Sequence, residues 1–150
     1  MVEFDPINAR ILRHLQRDGR ISNLALSEAV GLSPSACLRR VQEMERRGII
    51  TGYRAQLDPV ATGKSFAVYV AVGLGEHSKA AQEEFERAMD GFDEVTECHN
   101  IAGAFEYLLR VETADLAAYK TFHTDKLGTV PHVRSITSHM VMGTPKDLRS

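Results

Sequence analysis

A chain of 150 residues, 43% apolar and 25% charged, has ordinary globular composition for one domain or two small ones, and that balance argues against disorder. The longest apolar run, 66–74, is far too short to span a bilayer, and the opening MVEFDPINARIL lacks a signal-peptide core, so the cytoplasm is the expected compartment. The net charge of −2 hides an asymmetry: residues 1–57 carry nine Lys/Arg against six Asp/Glu, net +3, and residues 58–150 carry nine against fourteen, net −5. A basic first part on an acidic remainder fits nucleic-acid contact confined to the first part.

The first helix is predicted to start at Asp5 as cap with Pro6 following, and to end at Asp18-Gly19. Ile7, Ile11, Leu12 and Leu15 recur at helical spacing and give it one apolar face. Ser22 can cap a second helix whose Leu26, Ala29 and Val30 pack on the first. Gly31-Leu32-Ser33-Pro34 then makes a tight turn: Gly31 can take the left-handed conformation that ends a helix, Ser33 can cap the next, and Pro34 suits its first turn. The third helix runs from Pro34 to about Arg47, with Leu38, Val41 and Met44 inward, and it carries Arg39, Arg40, Arg46 and Arg47. Two helices about a tight turn, the second rich in arginine, make a helix-turn-helix, and IITGYRAQL (49–57) has the place of a wing, as a strand or hairpin arm.

DPVATGKS (58–65) reads as a linker punctuated by Pro59 and Gly63. Its Gly63-Lys64-Ser65 is similar to the end of a phosphate-binding loop, but Asp58 stands where that loop needs a glycine, and a strand follows where a helix should. From 66 to 150 the order is strand (66–74), helix (78–92), strand (95–102), turn at Gly103-Ala104, strand (105–112), helix capped by Thr113 or Asp115 and reaching about Leu127, and strand (133–142). That helix turns Leu116, Tyr119 and Phe122 inward. The fold class is therefore α+β: a winged helix-turn-helix over 1–57, then a ferredoxin-like βαββαβ module over 66–150. In the first of these strands Ala67, Tyr69, Ala71 and Gly73 share the face opposite Phe66, Val68, Val70, Val72 and Leu74, and both faces are largely apolar. Two helices cover one side of such a sheet, so the other side calls for a partner sheet and a homodimer.

At the DNA end, the third helix is the candidate recognition element. Ser33, Ser35 and Ala36 would approach base edges and phosphates, with Arg39 one turn further in reading guanine or holding a phosphate. Arg40 is expected on a phosphate, Ser22 and Asn23 on the DNA backbone, and Arg54 of the wing on a flanking phosphate. The plainer alternatives are a solvated helix face for the arginines and a pure cap for Ser33. Cys37 reads as a small buried hydrophobe, and neither it nor Cys98 has zinc-like or disulfide-framework spacing. His99, His123, His132 and His139 lack metal-ligand spacing, and no cofactor or metal is expected. No nucleophile–base pair points to an enzyme.

DGRISNLALSEAVGLSPSACLRRVQEMERRGIITGYRAQLDP (18–59) and ECHNIAGAFEYLLRV (97–111) closely resemble the leucine-responsive regulatory protein family (Lrp/AsnC, or feast/famine), over nearly the whole chain from Asp5 to about Met142. The resemblance implies a transcription regulator that binds double-stranded DNA through the winged module. It also implies that the ferredoxin-like module takes a small molecule, usually an amino acid, and assembles dimers into octamers or similar rings. Its effector residues fall here on Ala102, Gly103, Ala104, Phe105, Glu106 and Tyr107, with Leu116, His139 and Val141. The family commonly has an acid directly after the glycine and another two residues later. The first position is Ala104 in this chain, the second is Glu106, and His139 stands where a tyrosine is often seen. Glu106 is then the candidate for a ligand ammonium, and the alternative is a cross-strand pair with Arg134 or Arg110, with His139 an interface side chain. An effector-independent architectural DNA-binding protein of the same fold is the alternative reading of the whole.

Overall fold

The computed structural model describes residues 5–147, and the chain divides into two compact units at Ala55/Gln56. The first unit holds three helices: α1 (Pro6–Arg17), α2 (Asn23–Val30) and α3 (Pro34–Arg46). Each begins on a side chain that satisfies an orphan N–H of the first turn: Asp5 for Ile7, Ser22 for Ala25 and Ser33 for Ala36. Gly31 ends α2 at φ +72°, where a side chain would be strained, and this frees the chain to turn at once into α3. Ile11, Leu26, Val30, Cys37 and Met44 form the core, with Ile7, Leu15 and Val41 packed round it.

Two inward assignments fail. Ala29 is exposed, and Leu38 keeps 45% of its surface. Cys37 fills the place that Leu38 was expected to take, since Cys37, Val41 and Met44 already make a complete i, i+4, i+7 stripe. The wing also differs: 49–57 forms no strand. Its alternating residues meet no neighbouring strand among the described residues, and an unpaired arm has no ladder to hold it extended. Tyr53 instead donates its hydroxyl to Glu45 Oε1 at 2.8 Å.

In the second unit, β1 (Phe66–Leu74), α4 (Lys79–Asp90), β2 (Val95–Asn100), β3 (Tyr107–Thr113), α5 (Leu116–Thr121) and β4 (Val133–Met140) follow the expected order, with spatial order β2-β3-β1-β4, all antiparallel. Val68, Val70 and Val72 of β1 and Tyr107, Leu109 and Val111 of β3 are fully buried against Phe85, Met89, Tyr119 and Phe122 of the helical layer. Each such side chain contributes roughly 1.5–3 kcal/mol by leaving water, which is why this sheet face is fixed in register.

The second helix of this unit is not one helix. After Thr121 it widens into a π turn over Phe122–Lys126 and tightens into a 3-10 turn over Leu127–Thr129. Gly128 permits this, because a Cβ there would sit 2.9 Å from the His123 carbonyl. Leu116 is 54% exposed rather than inward, since Tyr119 and Phe122 take the buried positions. On the open face of the sheet Ala67, Ala71 and Leu108 lie among polar groups. Arg110 donates to Glu112 Oε1 at 2.8 Å and to the Tyr69 hydroxyl at 3.0 Å.

Candidate functional site

In the first unit, α3, the candidate recognition helix, is seated by polar ties. Asn23 Nδ2 donates to the Pro34 carbonyl at 2.8 Å, pinning the start of α3 to the start of α2. Arg40 donates to Asp5 and, at 3.0 Å, to Asn8 Oδ1, tying the middle of α3 to the first turn of α1. The Arg40 hydrogen bond and the Ile7 N–H together hold the Asp5 carboxyl below the usual carboxylate range. Asn23 and Arg40, both expected on DNA, each hold α3 to a neighbouring helix through one nitrogen. Ser22 and Ser33 act as helix caps, and Ser33 Oγ also lies 3.4 Å from Ser35 Oγ.

The face of α3 turned to water carries Ser35, Leu38, Arg39 and Gln42, at i, i+3, i+4 and i+7 on one stripe. Among the described residues, no side-chain hydrogen bond or ion pair holds Arg39. The stripe offers a hydroxyl, an apolar surface, a guanidinium and a carboxamide: the groups that read base edges in a major groove. Leu38 and Gln42 went unnoticed in the sequence because hydrophobic spacing assigned Leu38 to the core, yet its neighbour Cys37 was the signal that a second inward residue was superfluous. Further along, Arg46 is paired with Glu43 at 2.6 Å, whereas Arg54 stands exposed on the irregular arm.

In the second unit the nine candidate effector residues do not gather at one place. Ala102, Gly103 and Ala104 form an exposed turn, and Glu106 follows at the end of the sheet. The Glu106 amide donates to the Val72 carbonyl, and its side chain returns to β1, where Oε2 accepts the Leu74 N–H at 2.8 Å. Leu74 lies beyond Val72, where the pairing of β1 with β3 ends, so that N–H has no ladder partner. His77 Nδ1 lies 3.1 Å from the other oxygen, Oε1. Neither Arg134 nor Arg110 pairs with Glu106; Arg110 is committed to Glu112 and Tyr69.

Gly73 completes this corner, because a Cβ there would collide with Ser135 Oγ, and Glu106 Oε2 is 3.7 Å from the same point. Gly73, His77 and Ser135 were not anticipated, since they converge only through the sheet pairing of β1 with β4. Tyr107 belongs to the other side of the sheet. It is fully buried against Phe85, donates to Glu86 Oε1 at 2.7 Å and accepts from Asn100 at 3.0 Å. Burial and the Glu86 carboxylate push its phenol up to about 12. Phe105 is half-buried beside the turn.

Leu116, His139 and Val141 sit at the opposite end of the sheet: His139 is paired with Tyr69, the Val141 N–H donates to the Ala67 carbonyl, and Thr113, just before Leu116, faces Phe66. Ala67 and Leu74 are seven residues apart on β1, roughly 23 Å at the usual rise of a strand. One chain therefore cannot close a single amino-acid pocket from both groups.

A groove of about 360 Å³ between α4 and the edge strand β2 is lined by Glu86, Met89, Asp90, Val95, Thr96, Glu97 and Cys98. Burial and the nearby Glu86 raise the Cys98 thiol to about 11. Among the described residues, no group of three or more His, Cys, Asp or Glu side chains is placed to hold a metal ion, and no helix is long and apolar enough to cross a membrane.

Two family models match the chain: a winged helix-turn-helix DNA-binding domain over residues 4–51 and the Lrp/AsnC ligand binding domain over residues 67–150. The leucine-responsive regulatory proteins of Escherichia coli and Salmonella typhimurium are each 40% identical over 140 residues, 93% of this chain and 85% of theirs. A transcriptional regulator of Neisseria meningitidis, solved as a complex with L-Met, superposes with a TM-score of 0.92 at 33% identity, covering 96% of this chain and 93% of that one. An AsnC family transcriptional regulator from Agrobacterium tumefaciens superposes with a TM-score of 0.91 at 33% identity, covering 98% and 95%.

Proposed function

The chain belongs to the Lrp/AsnC family of DNA-binding transcriptional regulators, and on that premise we propose that it reads a specific operator through α3 and adjusts its activity or assembly to a small molecule, an amino acid. The observation that carries the DNA half is the single exposed stripe of Ser35, Leu38, Arg39 and Gln42 on a helix already tied down by Asn23 and Arg40. Arg39 can take O6 and N7 of guanine, Gln42 can take N6 and N7 of adenine, and Leu38 can pack on a thymine methyl. Two such modules in a two-fold dimer would meet half-sites about one helical turn apart, roughly 34–36 Å. Selection of bound sequences from random duplexes tests this reading, with enrichment of a half-site containing G, A and T as the expected result. Replacing single thymines by uracil, which removes one methyl, should weaken binding by the wild type at one or two positions and leave Leu38→Ala indifferent there. A pool that does not enrich at all would refute sequence-specific binding.

For the effector half, support comes from the exposed Gly103 turn beside the Glu106 carboxylate, and from the L-Met held by the Neisseria meningitidis relative. An amino acid needs an acceptor for its ammonium and N–H donors for its carboxylate, and this turn offers both kinds of group. A homodimer through the open face of the sheet, and assembly of dimers towards an octamer, would bring the Gly103 end of one chain near a neighbour's residues. The effector-independent architectural reading is favoured by one observation: Ala104 supplies no acid, and Glu106 is already engaged by Leu74 and His77. A thermal-shift screen against the twenty amino acids separates the two. At a hundred times Kd a ligand adds about 2.7 kcal/mol. At about 2–4 °C per kcal/mol for a chain of this size, that is roughly 5–10 °C. A flat screen, with binding to DNA of little sequence preference and steep salt dependence, would establish the architectural alternative.

A further inference from the structure

We propose that the solvent face of α1 is a second polyanion site, which takes the phosphates of a DNA segment other than the one lying against α3. Arg10, Arg13, His14 and Arg17 fall at i, i+3, i+4 and i+7 and line one surface cavity of about 230 Å³. No carboxylate is among the residues lining it. Arg10 donates through Nη2 to the Ala29 carbonyl at 2.9 Å, which steadies that guanidinium against the end of α2 and leaves its other donors uncommitted. Among the described residues, the Arg13 and Arg17 side chains have no hydrogen-bond or ion-pair partner. The nearest acid in sequence, Asp18, uses Oδ1 to accept the Arg20 N–H. Four cationic or protonatable side chains thus converge with no countercharge between them, an arrangement that an incoming polyanion relieves.

The stripe is distinct from the α3 face. At about 100° per residue, Asn8, whose side chain meets Arg40 of α3, lies on the opposite side of α1 from the centre of the stripe. Arg10 to Arg17 spans roughly 10 Å along the helix. A DNA strand offers one phosphate about every 3.4 Å of axis, so the stripe matches two or three consecutive phosphates. The chemistry recognised is the phosphodiester backbone, without base readout, and the occupant is duplex DNA in a chain that already handles DNA. The competing occupant is the acidic face of α4 in a second copy, with Glu83, Glu84 and Glu86 exposed.

The inference takes operator binding through α3 as given, and the test separates the two. The full chain is saturated with a short operator duplex, and duplexes bound per chain are counted by sedimentation for wild type and for Arg13→Gln/Arg17→Gln, leaving Arg10 to hold Ala29. The wild type should bind additional duplex at low salt, with a log–log salt slope of about −2 to −3 for that second event. The variant should lose the additional duplex and keep its operator Kd within about twofold. Equal stoichiometry in both overturns the proposal. So does loss of operator affinity in the variant, which would put the stripe on the same duplex as α3. Altered assembly with unchanged stoichiometry would assign the stripe to an acidic protein face and likewise overturn it. Should the variant not fold, the His14 ring signals of operator-saturated wild type must shift on adding unrelated duplex, and silent His14 signals refute the site. Failure of the α3 reading shows separately, as an Arg39→Ala chain that binds operator normally.

Discussion

Arg39 and Arg40 are neighbours in sequence and opposites in role, and replacing each by alanine should divide DNA affinity from stability. The Arg39 guanidinium is exposed and holds no partner among the described residues, so its removal leaves no buried group unsatisfied and should cost the fold nothing measurable. If it reads guanine with two hydrogen bonds, Arg39→Ala should cost about 1–3 kcal/mol, a 5- to 150-fold weaker operator complex, with discrimination relaxed at that base pair. If it holds a phosphate instead, binding should weaken alike on all sequences, and the salt slope should fall by about one. Arg40→Ala breaks the ties to Asp5 and Asn8, so it should lower the melting temperature slightly and affect operator and scrambled duplexes equally. Asp5→Asn is the control, since asparagine can still cap α1 while losing the charge that Arg40 meets. Fluorescence anisotropy on a short operator and a scrambled duplex between 50 and 200 mM salt, beside thermal melts, measures both properties. An Arg39→Ala chain with wild-type affinity on both duplexes, or an Arg40→Ala chain that loses only operator affinity, would refute this division of labour.

Gly73→Ala should cost the second unit at most about 1.5 kcal/mol, because the added Cβ meets only Ser135 Oγ, the end of an exposed side chain that can turn to another rotamer, and Ser135→Ala in the same chain should remove that cost; a loss of several kcal/mol would show that Ser135 cannot give way. Glu106→Gln keeps an oxygen that can accept the Leu74 N–H but removes the charge, so it should abolish any amino-acid thermal shift while changing the unliganded melt little; Glu106→Ala should lose both, and a ligand shift surviving Glu106→Gln excludes this carboxylate as the ammonium site. The Tyr107 phenol ionises near 10 in the unfolded chain and near 12 in the folded one, so the unfolded state sheds its proton first, and stability should fall between about pH 10 and 12. That part of the alkaline loss should disappear in Tyr107→Phe, and identical pH profiles for both chains would disprove the linkage.

Most of the fold was legible because it rests on local chemistry. Asp5, Ser22 and Ser33 announced three helix starts, Gly31 announced the turn, and the apolar run of 66–74 announced a strand with two largely apolar faces. The misses share a cause in tertiary contacts. Leu38 fits the apolar spacing as well as Cys37 does, and only the finished core of the first unit decides between them. Arg40 looks like any exposed arginine until Asp5 and Asn8, more than thirty residues earlier, are folded beside it. The break after Thr121 depends on the close approach of Gly128 to the His123 carbonyl, which helical periodicity does not register. Glu106 was marked as the surviving acid of its turn, but its real neighbours, the Leu74 N–H and His77, follow from β1 running on past the start of β3.

The same geometry constrains how an effector could act on DNA. The two units have separate cores with no residue in common, and the recognition stripe and the Glu106 corner belong to different ones. A ligand shifts an equilibrium only by its differential affinity for two states, and couplings of about 1–3 kcal/mol are typical. The first unit's core closes on its own residues. On the proposed reading, the state it biases is the association of chains. Changing that association changes how many recognition helices are held together and at what spacing. Affinity for paired half-sites responds to this through effective concentration, while affinity for one isolated half-site does not. An effector that altered binding to a single half-site by a single module would therefore refute control through association.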